Sequence, residues 1–257
     1  MSDALGNVPL WGSLMPVGAL LWLAMEGGYR LGRWRHARWP TEKDQPVGAM
    51  VGSILGLLAL VLGFTFSLAA SRFEARRQAV LDEANAIGTT YLRAKLLPEP
   101  QRSHVAQLLR EYVDVRLHAV ERNRSDEGIA RSEALHRALW GQATAAATSS
   151  SSFMTGLFIR SLNEVIDLHA RRIMIGIRSR IPAAVWATLT ALTMIGMVAV
   201  GYQSGLAATT RSPAMAALAL AFAVVLLVIA ELDRGQRGLL RVSQQSLIDV
   251  RRSMASN

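Results

Sequence analysis

The chain has 257 residues, 51% hydrophobic and 18% charged, with no cysteine and a mean hydropathy of +0.24. Four stretches carry no charge: Ala4–Met25, Gln45–Ser71, Ile181–Thr210 and Ser212–Ala230, of 22, 27, 30 and 19 residues. A bilayer core about 30 Å thick takes roughly 20 apolar helical residues to cross, so this pattern excludes an ordinary soluble enzyme, a disordered tail protein and a disulfide scaffold. The net charge of +9 comes from 26 Arg and 2 Lys against 19 acids. Loops flanking membrane spans collect such charge, and no basic run is interleaved with aromatics away from those flanks, so nucleic acid is not an expected partner.

Taken in chain order, the first transmembrane helix is predicted over residues 8–28, with Pro16 as a kink and Trp11 and Trp22 as anchors. It lacks a basic n-region, which argues for a retained span rather than a cleaved signal. Residues 29–46 form a basic aromatic loop whose first part, Tyr29–Trp39, suits a helix end at headgroup level, stopped by Pro40. The second transmembrane helix covers 47–71. Gly48, Gly52, Gly56, Ala59, Gly63, Ser67 and Ala70 share one face, the pattern by which helices pack closely in lipid or line a shared axis.

No breaker follows. The helix is predicted to continue to Leu97, with Phe73, Val80, Ala84, Ile87 and Tyr91 on one seam, carrying it ~35–40 Å beyond the span. Pro98 and Pro100 end it. Amphipathic helices are expected over Gln101–Arg122, Ile129–Ala147 and Phe153–Arg180, with Gly128 marking a turn and Ser149–Ser152 a break. Strand-period alternation is absent, so residues 72–180 read as an extramembrane antiparallel helical bundle. The third transmembrane helix is placed at 182–203, opened by Pro182 and flanked by Trp186 and Tyr202. The fourth lies at 213–231, and 232–257 is a polar basic tail. The fold class is therefore all-α and integral to the membrane, with four transmembrane helices and the bundle between spans two and three.

The Lys and Arg distribution puts both termini and the bundle on the cytoplasmic side, although the first span alone prefers the reverse. Glu26 and Arg30 read as an interfacial pair, and Glu231 and Asp233 as similar partners of Arg234 and Arg237. Glu164, Asp167 and His169 match no metal-ligand spacing, and His169 falls on an apolar seam, so core packing is expected. His36, His104, His118 and His136 are scattered. No catalytic residues, metal site or cofactor are expected, and the chain is not read as an enzyme. Two features of the second span favour a pore. Its small face, including Gly52, Gly56 and Ser67, runs the full membrane depth, and it continues into the basic segment Arg72, Arg76 and Arg77, which would attract anions. Leu60, Phe64 and Leu68, every four residues, would form an apolar constriction.

The block Leu62–Leu96, LGFTFSLAASRFEARRQAVLDEANAIGTTYLRAKL, followed by LPEP, resembles the signature of the bacterial bestrophin-like domain family. The end, ELDRGQRGLLRVSQQSLIDV, is similar to its closing motif, from which Gly235, Gln236 and Ser246 depart. The resemblance implies four spans, a helical cytoplasmic region, and copies of the chain around a pore lined by the second span, five in true bestrophins. It makes Leu60, Phe64 and Leu68 the counterpart of the apolar neck, while the acidic run that binds calcium in animal members is missing. The expected function is a homo-oligomeric, anion-conducting channel of the bacterial inner membrane, with the lipid bilayer, copies of itself and small inorganic ions as partners. The alternative is a membrane sensor or accessory subunit whose bundle, 72–180, binds a ligand or partner protein.

Overall fold

The computed structural model describes residues 10–39, 44–121, 125–149, 152–178, 180–209, 212–234 and 240–256. The described residues are helical, with no strand among them, in the order α1 (Leu10–Arg38), α2 (Asp44–Ala94), α3 (Gln101–Glu121), α4 (Ser125–Ser149), α5 (Phe153–Ile173), a π-helical turn (Met174–Arg178), α6 (Ala183–Leu206), α7 (Pro213–Arg234) and α8 (Gln245–Ala255). The chain divides into two compact units, 1–73 with 180–241, and 74–179 with 242–257. α2 runs through both as one 51-residue helix. Among the described residues, α2, α6 and α7 are long and apolar enough to cross a membrane.

In the first unit, α1 packs on α6 and α7. The crossing of α1 and α6 is built from glycine on both sides. A Cβ at Gly28 would lie 2.1 Å from Val198 O, at Gly32 2.2 Å from Tyr202 O, at Gly201 1.9 Å from Met25 O and at Gly205 2.2 Å from Tyr29 O. Backbone meets backbone there, the contact that small residues permit in lipid. Leu21, Met25, Tyr29, Met197, Met215, Ala219 and Ala223 close one core beside it. The Tyr29 hydroxyl donates to Thr209 O at 2.9 Å. A second core joins Leu58, Leu62 and Ala69 of α2 to Ile181, Leu189, Ile229 and Leu232. Asp233 caps that region by accepting from Ile181 N at 3.0 Å. Glu26 receives Arg30 Nε at 2.8 Å, and Glu231 lies 3.3 Å from Arg234 Nη1, as the i,i+4 and i,i+3 spacings imply.

In the second unit, α3 packs on α4, α4 on α5 and α8 on α3. Val80, Ala84, Ile87 and Tyr91 of the expected α2 seam are buried, as are Val105, Leu109, Val113, Leu139, Phe158, Leu162 and Val165, whereas Phe73 is partly buried and packs on the core of the first unit. Ser152 caps α5, its Oγ accepting from Thr155 N at 3.2 Å.

Several boundaries differ from expectation. Residues 29–38 are helix rather than loop, because α1 runs to Arg38. α2 stops at Ala94, not Leu97. Gly128 marks no turn: it lies in the first turns of α4, where a Cβ would meet the Ala119 Cβ at 2.4 Å, so it lets α4 approach α3. α5 gives way to the π-helical turn after Ile173 instead of running to Arg180. The tail contains α8, whose buried Leu247 and Met254 stand two turns apart on one face. Its last carbonyls are held by the bundle: Met254 O accepts from Tyr91 Oη at 3.2 Å and from Arg110 Nη2 at 2.9 Å. Residues 8 and 9, Pro40, Gly235 and Gln236 lie outside the described residues.

Candidate functional site

Two features stand out, one on the membrane part of α2 and one inside the second unit. On α2, Val51, Leu58, Leu62, Thr65 and Ala69 are buried, spaced by sevens, fours and threes along one face. The opposite face is left uncovered by the other described residues. Gly52, Gly56 and Ser67 are exposed, and Leu60, Phe64 and Leu68 are 55%, 69% and 40% exposed. A Cβ on Gly52, Gly56 or Gly63 would meet nothing within 4 Å among the described residues, whereas one on Gly48 would meet the Gln203 side chain at 2.7 Å. From Gly52 to Gly63 the small face thus makes no close helix crossing among the described residues. Its neighbours at the helix's polar continuation behave differently. Arg72 is half-buried, with its Nη1 enclosed. Arg76 is 4% exposed and its Nε faces Ile175 O at 3.5 Å, directing its charge at backbone of the second unit. Arg77 is exposed and lies 3.5 Å from Glu74.

The second feature is a buried polar cluster centred on Glu83, which is fully enclosed. Glu83 sits on the α2 seam between Val80 and Ile87, so the seam carries it into the core. Tyr112 of α3 donates its hydroxyl to Glu83 Oε1 at 2.6 Å, and Arg172 of α5 donates Nη1 to Oε2. Arg116 Nε lies 3.3 Å from Oε1, and His169 Nδ1 lies 3.7 Å from it. The Tyr112 hydroxyl also reaches His169 Nδ1 at 3.1 Å. Arg172 Nη2 donates to Gln244 Oε1 at 2.7 Å, which ties in the segment ahead of α8. His136 of α4 stacks at 4.9 Å from the Tyr112 ring and 4.8 Å, edge to face, from His169.

Electrostatics follow from this geometry. Burial pushes the Glu83 carboxyl up, but Arg116, Arg172 and the hydrogen bonds from His169 and Tyr112 outweigh it and hold it well below the usual carboxylate range. Burial and the adjoining Glu83 charge raise the Tyr112 hydroxyl. Burial, then the neighbouring His169, lowers His136 to about 4. Two guanidiniums face one carboxylate here, and the Arg116 charge adds to the lowering at His136. Such an arrangement joins α2, α3 and α5 through desolvated, paired charges, while Arg116 Nε, His136 Nε2 and His169 Nε2 are buried without a hydrogen-bond partner among the described residues.

His169 is in the core, as its apolar seam implied, while Glu164 and Asp167 are exposed and do not converge on it. Among the described residues no group of three or more potential metal ligands is placed to hold an ion. The Glu83–Tyr112–Arg116–His136–Arg172 set was not foreseen. The available signal was an acid and a base at core register, Glu83 on the α2 seam and Arg172 three residues beyond His169.

The model of the Bestrophin-like domain family matches residues 18–247. Solved structures of a bacterial bestrophin homologue from Klebsiella pneumoniae share the fold. One is 13% identical over 95% of this chain and 96% of that one, with a TM-score of 0.68. Two single-substitution variants of it, each 13% identical, cover 96% of this chain, and 98% and 99% of theirs, with TM-scores of 0.67 and 0.68. No curated protein matches the sequence.

Proposed function

The chain belongs to the bestrophin-like domain family, and from that premise we propose that copies of it surround a central pathway and conduct anions. The supporting observation is the uncovered face of α2: a row of small and apolar residues, Gly52 to Leu68, that the other described residues leave unpacked. Gly52, Gly56, Leu60, Phe64, Ser67 and Leu68 line the pathway, Arg72 stands at its polar end, and buried Arg76 backs the wall. Leu60, Phe64 and Leu68 form the narrow apolar zone, where water leaves more readily than ions can cross. The four spans are α1, the first half of α2, α6 and α7. The glycine crossing supports α1 as a span, because it places that helix directly against a membrane-length neighbour. Five copies, cytoplasmic termini and a cytoplasmic bundle in the bacterial inner membrane complete the reading, the first from the family resemblance and the rest from the Lys and Arg distribution.

Purified protein in planar bilayers tests it. Discrete currents that reverse toward the chloride equilibrium potential in a salt gradient are expected, and Phe64→Ala should raise single-channel conductance. Silence across salts and voltages, or a Phe64→Ala conductance equal to the parent's, refutes the pathway.

A further inference from the structure

We propose that the C-terminal end of α1, Arg30–Trp39, is a binding patch for anionic phospholipid headgroups. Gly28 and Gly32 turn one face of this segment onto α6. The opposite arc carries Arg30, Arg33, Trp34 and Arg38, all exposed. Between Gly27 and Trp39 there are four Arg and no acid. Glu26 already compensates Arg30 at 2.8 Å, so Arg33 and Arg38 carry the charge that attracts a ligand.

The aromatic residues make this more than a charge run. The Arg38 guanidinium lies over the Trp34 ring at 5.4 Å, and that of Arg35 over Trp39 at 4.5 Å. The two rings meet edge to face at 5.8 Å and 75°. A guanidinium stacked on an indole is held by its face while its N–H edge points outward in the fork that matches two phosphate oxygens. The rings themselves stay about half exposed, Trp34 at 50% and Trp39 at 45%. Indole surface of that size at the end of an apolar helix suits the headgroup layer, where one edge meets acyl chains and the other meets water. A soluble anion would use the guanidiniums but leave the rings wet, so a lipid is the better occupant. The negative charge selects among lipids, at about fivefold in affinity per basic residue near an anionic surface.

The test uses the full chain in detergent, mixed with phosphatidylglycerol or phosphatidylcholine, with bound lipid counted by native mass spectrometry. Preferential retention of phosphatidylglycerol is expected. Arg33→Gln with Arg38→Gln should weaken it about 25-fold and leave phosphatidylcholine unchanged. The matching pair of Arg→Lys changes keeps the charge but loses the fork, so it should retain only part of the preference. Equal retention of both lipids, or a preference that survives the double Gln change, overturns the proposal. So does full competition by inorganic phosphate, which would assign the patch to a soluble anion. Both arginines are exposed, so the variants fold, and the readout is independent of conduction.

Discussion

Glu83→Gln isolates the value of the buried cluster. The substitution keeps the side-chain volume and an oxygen for the Tyr112 hydroxyl, but it removes the only carboxylate that Arg116 and Arg172 share in the described cluster. Both guanidinium side chains are less than a tenth exposed, so water cannot replace the lost charge. Breaking a buried pair from one side costs about 3–5 kcal/mol. At 1.36 kcal/mol per decade, that is a roughly hundred- to several-thousandfold change in the opening equilibrium of the surrounding helices. Amide hydrogen exchange reads this locally, which suits a membrane protein whose global unfolding is not two-state. Exchange at Leu109–Leu117 of α3 should accelerate by that factor, while the glycine crossing of α1 and α6 stays protected. Adding Arg172→Met should recover part of the loss, because it removes one of the stranded cations. An acceleration below tenfold, or no recovery in the double variant, refutes the view that charge pairing holds this core.

His136 supplies a pH test of the same cluster. Its folded pKa of about 4 lies below the ordinary 6.5, so the unfolded chain takes up the proton first. The stability it contributes is complete above pH 6.5 and falls as pH drops toward 4, by about 3 kcal/mol in total. His136→Gln should flatten α4 exchange between pH 6.5 and 5, and an unchanged slope would remove His136 as the cause. The glycine faces give a paired comparison. Gly201→Ala puts a Cβ 1.9 Å from Met25 O, backbone that cannot swing aside, so the detergent melting temperature should fall by several degrees. Gly56→Ala meets nothing within 4 Å and gains helix propensity, so the same measurement on the single chain in detergent should not fall. Equal effects at the two sites would contradict the geometry.

Much of this architecture is written in one-dimensional patterns. The charge-free stretches and the proline after Leu97 are local signals: three of the four stretches coincide with helices long and apolar enough to cross a membrane, and α2 ends just before that proline, whereas Gly128 lies inside α4. α8 was hidden because it is only 11 residues long and buries one narrow stripe, Leu247 and Met254, in an otherwise polar and basic tail. Its partners are distant in sequence: Arg251 Nε lies 2.6 Å from Asp114 Oδ1, and Arg110 donates to Met254 O. The polar cluster was hidden for a related reason. Its members come from α2, α3, α4 and α5, and a lone acid on an apolar seam does not announce which cations will meet it.

The glycines show where such reading reaches its physical limit. α2 carries the longest row of small residues in the chain, yet the tight crossing inside the subunit is made by Gly28 and Gly32 against Gly201 and Gly205. A close crossing needs small residues in register on both helices at once, because a Cβ on either side holds the backbones apart. One helix's pattern supplies half of that condition. α1 and α6 supply both halves, each with a pair of glycines four apart, and their carbonyls come within reach of the facing Cα positions. The row on α2 has no matching row elsewhere in the described chain. A glycine face without an internal partner is either wasted or turned toward something outside the subunit. The long apolar Leu60, Phe64 and Leu68 interleaved with it, 55%, 69% and 40% exposed, favour the second, in keeping with the proposed assembly in which that face meets copies of the chain.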